Sequence, residues 1–304
     1  MSMAASPMGP EYRAAGTDLS ERRRSGVSRG PLREVAAPIG VERELDGGLR
    51  LGALTTIAAL AADPAIRAGY PGLAAAAAGL ATPQIRRMAT LGGNIAQRNR
   101  CWYFRNPDLA CLKKGGDVCR AREGNALYAV AFDSAPCVAP HPSTLAAALI
   151  AYDARLDTDR RRGMTIAQAL GDGRSLTAET ALEPGELITA VTLPAPMSGE
   201  RAQYKRAIAR AHAEWPLVEL VVRASFDAGA FARLTLVAGG VAPIPLRLAG
   251  AEAAALGRPA SEATFAAAGA ASIAGANPLP QSRYKLDLLQ GLVRDLLEAV
   301  AAQG

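Results

Sequence analysis

The chain has 304 residues, half of them apolar and a fifth charged, which is the composition of a globular protein with room for more than one core. Its 34 Lys and Arg residues exceed its 28 Asp and Glu residues, giving a net charge of +6. The arginines are scattered and aromatic residues are few, so the basic balance does not predict a nucleic-acid-binding face. No apolar run reaches the length of a membrane span.

The N-terminal stretch MSMAASPMGPEY lacks a basic segment followed by an apolar one, so we predict no signal peptide. A cytoplasmic protein is expected, or a periplasmic one if a signal-bearing partner is exported with it. In the cytoplasm disulfides are disfavoured, so a group of cysteines there indicates metal binding.

The first hundred residues are predicted to form short strands, turns and helices. A small-residue turn at 14–17 could present backbone N–H groups to an anion, and no strand pattern precedes it. Strands are predicted at 33–41 and 48–54, around the turn at 46–48. Thr55 or Thr56 is predicted to cap a helix that ends at residue 62, and Asp63 a second helix. A third helix spans 71–80, and residues 82–94 form a loop with helical character.

Residues 98–140 show little periodicity, and a segment of that length needs another source of order, which a metal centre would supply. A capped helix at 145–152, strands at 154–157 and 187–193 and a helix at 166–170 are predicted next. After a proline-rich linker at 194–199, strands are predicted at 203–208, 216–226 and 231–238, with a hairpin turn at 227–229. Helices at 251–256, 261–271 and 283–301 end the chain, and the last carries an apolar stripe.

All four cysteines lie in one window, with the spacing C-x9-C-x7-C-x17-C. The spacing fits neither zinc ribbons nor bacterial ferredoxins. Four thiolates suit zinc and an iron–sulfur cluster alike, and free buried thiols or disulfides stay open as alternatives. Trp102, Tyr103 and Phe104 could shield a cluster from water, or be ordinary core. Nearby basic residues could balance its charge, or line a solvated loop: Arg98, Arg100, Arg105, Lys113, Lys114, Arg120 and Arg122.

A glycine pair at Gly92 and Gly93 could approach a pyrophosphate, although such a turn alone is more often structural. It is not G-x-G-x-x-G in a strand–turn–helix unit, so a Rossmann site is not predicted. Of the two histidines, His141 is expected to be a cap or a neighbour of the metal, and His212 a surface residue. No pair of carboxylates has an acid–base context, which favours an electron-transfer component over a complete enzyme.

Several stretches together resemble a known family: AAGTDL, LGALTTIAALA, ATPQIRRMATLGGNIAQ, HPST, AVTLPAP, YKRAIAR and AGGVAPIPLR. The chain resembles the FAD-binding (medium) subunit of molybdenum hydroxylases, the group of xanthine dehydrogenase, aldehyde oxidoreductase and carbon monoxide dehydrogenase. The four-cysteine segment between TLGGN and HPST is similar to the subgroup with an extra [4Fe–4S] cluster, as in periplasmic-type aldehyde oxidoreductase and 4-hydroxybenzoyl-CoA reductase.

This resemblance implies an α+β fold. It comprises an FAD-binding domain of the vanillyl-alcohol-oxidase type in two lobes, and a C-terminal α+β domain with an antiparallel sheet and helices. The expected divisions are a reduced N-terminal lobe at 1–50, a second lobe at 51–195 with the iron–sulfur insertion at 98–140, and a C-terminal domain at 199–304.

The resemblance also implies the site residues. Two loops would hold the FAD pyrophosphate, and they consist of Ala14, Ala15, Gly16, Thr17, Asp18 and Leu19, and of Thr90, Leu91, Gly92, Gly93 and Asn94. Ser143 and Thr144 would lie near the ribityl chain and Lys205 near the isoalloxazine ring. The cluster ligands would be Cys101, Cys111, Cys119 and Cys137. Two positions depart from the family pattern, since Ala15 stands for a glycine and Thr144 for an aspartate.

The implied function is electron transfer in a heterotrimer. A molybdopterin-binding large subunit would oxidise an aldehyde or an aromatic or heterocyclic substrate. A small [2Fe–2S] subunit would pass electrons to FAD, and FAD would pass them to an external acceptor. One alternative is a flavin-free structural subunit that uses a four-cysteine metal site for assembly. Another is a stand-alone flavin oxidase or dehydrogenase.

Overall fold

The computed structural model describes residues 10–211 and 213–303. The expectations for the N-terminal leader and for His212 therefore lie outside the described residues. Across these two ranges, no helix combines the length and the apolar character that crossing a membrane requires.

The N-terminal part is a small parallel pair of strands with a helix between them. β1 spans Glu11–Arg13, α1 spans Leu19–Arg24 and β2 spans Leu32–Glu34. The sequence did not predict β1, because three residues are too short to show alternation. The strand predicted at 33–41 is broken, since Pro38 has no N–H group to donate and Gly40 has a φ of +109°. The predicted small-residue turn lies between β1 and α1.

A five-stranded antiparallel sheet forms the next layer. Its strands are β3 (Val41–Arg43), β4 (Leu49–Gly52), β5 (Arg155–Thr158), β6 (Met164–Thr165) and β7 (Ile188–Leu193), in the order β3-β4-β7-β5-β6. The turn predicted at 46–48 joins β3 to β4, with Gly47 at a φ of +85°. The predicted lobe boundary at residue 50 falls inside β4.

Most of the short helices that follow share a buried core with this sheet, and side chains at their first turns fix where they start. They are α2 (Ile57–Ala62), α3 (Pro64–Gly69), α4 (Pro71–Gly79), α5 (Pro83–Met88), α6 (Leu91–Ile95), α8 (Thr144–Ala151) and α9 (Ile166–Leu170). Thr56 accepts a hydrogen bond from Ala59 N, and Asp63 accepts from Ala65 N and Ile66 N. Both predicted caps are confirmed.

Residues 98–140 contain little regular structure, as predicted. They hold α7 (Trp102–Arg105) and two short 3-10 turns at Leu112–Lys114 and Arg120–Arg122. The segment docks on the C-terminal part, because Ala131 N donates to Val241 O over 2.7 Å and Ser282 Oγ donates to Val130 O over 2.9 Å.

The C-terminal part is a four-stranded antiparallel sheet with helices. It comprises β8 (Arg201–Ala207), β9 (Val218–Asp227), β10 (Ala230–Gly239) and β11 (Leu246–Arg247), and α10 (Ala249–Ala255), α11 (Glu262–Ala271) and α12 (Tyr284–Ala301). The strand order is β11-β10-β9-β8, and the predicted hairpin turn joins β9 to β10. Helix α12 packs on β8 and β9, while α4 also packs on β8. The predicted apolar stripe of α12 is confirmed, since Leu289, Val293 and Leu297 are fully buried.

Candidate functional site

The first loop turns sharply between β1 and α1. Gly16 has a φ of +73°, and its carbonyl accepts a hydrogen bond from Ser20 N over 2.8 Å. That conformation favours glycine over any other residue. Ala15 has no positive φ, so the methyl group at this position causes no backbone strain. Alanine therefore fits the backbone conformation at this position of the loop.

The second loop is held against the end of β4 and opens toward solvent at Gly93. Thr90 Oγ1 accepts a hydrogen bond from Gly93 N over 3.2 Å, which caps α6. A β-carbon on Gly92 would lie 3.1 Å from Ala53 Cβ, so glycine lets the loop approach this strand end. Ala53 N donates to Thr189 O, and the Oγ1 of Thr189 is buried without a partner in the part of the chain that the structure describes. An unpaired buried hydroxyl beside a glycine loop fits a site that a polar ligand completes.

The structure joins the second loop to the start of α8. Ser143 Oγ donates to Asn94 Oδ1 over 2.7 Å, and Leu145 N donates to the same oxygen over 3.3 Å. Gln97 Nε2 donates to Asn94 O and to Pro142 O. Two of the predicted positions, Asn94 and Ser143, are therefore in direct contact although 49 residues separate them.

Thr144 contacts a buried carboxylate that sequence reasoning missed. Thr144 Oγ1 and the hydroxyl of Tyr204 each donate to Glu219 Oε2 over 2.8 Å. Glu219 is 2% exposed, and burial raises the pKa of its carboxyl group despite the two donors. A signal was available, because Glu219 is the only charged residue in the apolar run from Pro216 to Val222.

A cavity of about 270 Å³ lies between the cysteine segment and the C-terminal part. Its walls include Trp102 and Trp215, the only two tryptophans of the chain, and the guanidinium of Arg100 stacks on the Trp215 ring at 4.4 Å. Glu219 and the buried amine of Lys285 also line it. The cavity therefore combines flat aromatic walls with several polar groups.

His141 lines this cavity and also a smaller one beside Cys137. Its Nδ1 accepts a hydrogen bond from Ser143 N over 3.2 Å, and the residue that caps α8 is Ser143. Burial, assisted by the charge of Lys113, lowers the pKa of His141 to about 4, so the ring is neutral. The proton of the neutral ring is therefore on Nε2, which is buried and has no partner among the described residues.

The side chain of Lys205 does not lie with Ser143, Thr144 and Glu219 beside the cavity. Its side chain lies on the face of β8 that α12 covers, where Nζ is 2.7 Å from Asp295 Oδ2. Tyr204 faces the other way, toward Glu219. Successive residues of a strand point to opposite faces, so Tyr204 is the residue of β8 that faces the cavity side.

All four cysteines are free thiols, and in each case the backbone amide two residues later lowers the pKa of the thiol. These amides belong to Tyr103 for Cys101, Lys113 for Cys111, Ala121 for Cys119 and Ala139 for Cys137. The Cys119 and Cys137 thiols act on each other, which raises the pKa of Cys137 and lowers that of Cys119 to about 6. In residues 10–303 apart from 212, no three Cys, His, Asp or Glu side chains are arranged to hold a metal ion.

The aromatic residues after Cys101 differ in exposure. Only Phe104 is buried, with the guanidinium groups of Arg98 and Arg105 at 4.9 and 5.6 Å from its ring. Trp102 is 68% exposed, so the prediction that it shields the sulfurs is wrong. Its ring forms part of the cavity wall instead.

Comparison with known proteins gives matches over most of the chain. Residues 32–196 match the family described as the FAD binding domain in molybdopterin dehydrogenase, and residues 202–300 match the CO dehydrogenase flavoprotein C-terminal domain. The chain is 37% identical over 265 residues to the aldehyde oxidoreductase FAD-binding subunit PaoB of Escherichia coli (strain K12), covering 84% of this chain and 80% of that protein.

Two solved structures have the same fold. Carbon monoxide dehydrogenase from Hydrogenophaga pseudoflava superposes with a TM-score of 0.73 at 24% identity, covering 96% of this chain and 90% of that one. Quinoline 2-oxidoreductase from Pseudomonas putida 86 gives a TM-score of 0.74 at 18% identity, covering 97% and 90%. The predicted fold class is confirmed.

Proposed function

This chain belongs to the FAD-binding subunit family of the molybdenum hydroxylases, and on that premise we propose its place in electron transfer. It is an oxidoreductase subunit of an FAD-dependent complex. Electrons pass from a [2Fe–2S] small subunit through FAD to an external acceptor, while a molybdopterin-binding large subunit oxidises the substrate. The name of the relative at 37% identity, an aldehyde oxidoreductase subunit, favours aldehydes as that substrate class.

The two loops are proposed to hold the FAD pyrophosphate, and Ser143 and Thr144 the ribityl chain. The isoalloxazine ring is then proposed to enter the cavity, which begins at His141, two residues before Ser143. When bound, the flavin supplies the redox chemistry, and the protein binds and orients it. The observation that carries this proposal is the Nε2–H of His141, a buried donor without a partner in residues 10–211 and 213–303, on a side chain that lines a cavity with flat aromatic walls.

Tryptophan fluorescence tests this placement directly, because both tryptophans of the chain line the cavity. Titration of the flavin-free chain with FAD is expected to quench the emission. ADP is the matched control, since it offers a pyrophosphate but no ring, and it is expected to leave the emission unchanged. Binding of FAD without quenching would place the ring elsewhere. No binding of FAD would reject the flavin-carrying function in favour of the structural alternative.

The four cysteines are proposed to bind a [4Fe–4S] cluster. The repeated backbone amides that lower the pKa of each thiol support this, because N–H groups beside the sulfurs are one of the means by which proteins stabilise and tune such clusters. Cations are also in place, since Lys114 acts on Cys111, and Arg122 acts on Cys119. Zinc would use the same thiolates, so the metal has to be measured.

Metal analysis of anaerobically purified protein, with absorption spectra before and after dithionite, distinguishes an iron–sulfur cluster from zinc and from a metal-free chain. About four irons and bleaching on reduction are expected for a four-thiolate cubane. Cys137→Ser is expected to lose the iron, whereas Ser134→Ala, an exposed position in the same loop, retains it. One zinc and no iron would support the assembly alternative, and a metal-free chain would reject the site.

The division into two FAD-binding lobes and a C-terminal domain is proposed with a shorter first lobe than the sequence predicts. The linker at 194–199 separates β7 from β8, which supports the boundary between the FAD-binding and C-terminal domains. The first lobe is limited to β1, α1 and β2.

A further inference from the structure

The carboxylate of Asp18 in the first loop is bound by four arginines. Its Oδ1 is 2.7 Å from Arg105 Nη2 and 3.1 Å from Arg100 Nη2. Its Oδ2 is 3.1 Å from Arg22 Nε and accepts the backbone N–H of Arg98 over 3.2 Å. The side chain of Asp18 is 14% exposed, so these bonds lie largely out of water.

Three of these four partners flank Cys101. Arg105 is the central one, because its guanidinium also donates to Arg98 O over 2.9 Å and its Nε to Asn99 O over 2.8 Å. Asn99 in turn accepts the N–H of Cys101 over 3.0 Å through its side-chain oxygen. A continuous set of hydrogen bonds thus runs from Asp18 to the backbone that positions Cys101.

Within its own helix, the side chain of Asp18 bonds to Arg22 and does not cap the first turn. It stands at the N-cap of α1, where an aspartate side chain normally accepts from the first turn, but it makes no capping bond there. Its carboxylate is directed wholly at arginines, three of them in the cysteine segment, about 80 residues away in the chain. It is therefore placed to hold the segment that carries the first cysteine, not to start a helix.

We infer that Asp18 couples the two cofactor sites, so that FAD on the first loop and iron at Cys101 each raise the affinity for the other. This inference rests on the proposed function. Asp18 is a positioning residue, because it acts through the loop on one side and through Arg105 and Asn99 on the other. Coupling between two binding sites is reciprocal, so either cofactor can be used to measure it.

The experiment measures the dissociation constant of FAD for the full chain, with its iron and after anaerobic removal of iron by a chelator. In the wild type, iron removal is expected to weaken FAD binding about tenfold, within the usual range of coupling between sites. In Asp18→Asn, which keeps the shape but loses the charge, the two constants are expected to agree within about twofold. Arg105→Gln removes the other partner of the same ion pair, and its two dissociation constants are also expected to agree within about twofold.

Glu34→Gln is the matched control. Glu34 pairs with Arg13 in the same lobe, but at the surface and away from the cysteine segment. It is expected to retain the wild-type ratio of the two constants. A purely structural role for Asp18 would lower the melting temperature and leave that ratio unchanged, so melting is recorded for every variant.

The reciprocal measurement is the rate at which a chelator removes iron, with and without saturating FAD. FAD is expected to slow the loss in the wild type and in Glu34→Gln, but not in Asp18→Asn. If the dissociation constants of FAD were equal for the iron-loaded and the iron-free wild type, the coupling would be overturned while the proposed function stands. A wild type that binds no FAD or no iron would overturn both.

Discussion

Lys285 is a buried amine whose titration should be visible in the stability of the protein. It lies on α12 and is 1% exposed, and its Nζ donates to Gly240 O over 2.7 Å and to Tyr128 O over 3.3 Å. No carboxylate offsets its charge among the groups that act on it, and burial lowers the pKa of Lys285 from 10.5 to about 7. The substitution that tests this is Lys285→Met, which keeps the length and removes the charge.

The sign follows from proton binding. Between pH 7 and pH 10.5 the unfolded chain keeps the proton on this lysine while the folded chain releases it. The free energy of unfolding therefore rises with pH across this window, with a slope that approaches about 1.4 kcal/mol per pH unit. Below pH 7 both states are charged, and the folded state bears the full cost of the buried ammonium, on the order of 5 kcal/mol.

Urea unfolding of the full chain between pH 6.5 and pH 9 measures the effect. The stability difference between the wild type and Lys285→Met is expected to change by about 2 to 3 kcal/mol over this interval, in favour of the wild type at high pH. Lys205→Met is the control, because Nζ of Lys205 lies at the surface beside Asp295, and its difference from the wild type should stay constant. Parallel curves for the wild type and Lys285→Met would refute the argument, since the amine would then keep one protonation state throughout.

Three further substitutions test single structural features. Gly116→Ala would place a methyl group 2.9 Å from the backbone N of Cys111, so iron content should fall while FAD binding is retained, as measured by metal and flavin counts. Thr165→Ala removes the capping box that Thr165 forms with Gln168, and chemical unfolding should show a loss of about 1 kcal/mol. Ala228→Asn should raise stability by about 0.5 kcal/mol in the same assay, because Ala228 has a φ of +45° in the hairpin turn and asparagine tolerates that conformation better.

The elements that the sequence predicts well are those fixed by local chemistry. Thr56, Asp63 and Ser143 start their helices with a side-chain oxygen, and this pattern is visible within four residues. The turn between β9 and β10 is equally local. The prediction at 33–41 failed for a local reason as well, because Pro38 has no N–H group and interrupts the strand.

The site was less predictable because its contacts are distant in the chain. The loops and cysteines could be assigned from the resemblance, but the bonds of Asp18 to Arg98 and Arg105 span 80 and 87 residues. Lys205 shows the limit of position-by-position transfer. A match in sequence gives its place along β8, while the face on which its side chain lies depends on the pairing of β8 with β9.

Thr144 shows why a departure from a family pattern has to be judged in three dimensions. The resemblance places an aspartate at this position, and its loss alone would favour the flavin-free alternative. Yet the hydroxyl of Thr144 donates to the carboxylate of Glu219, so an acidic group lies one hydrogen bond away, supplied by β9 instead of α8. A β-carbon at Gly239 would clash with that carboxylate, so the glycine on β10 leaves room for it. Three residues on three elements thus keep a carboxylate beside position 144, and the change at Thr144 does not support loss of the flavin.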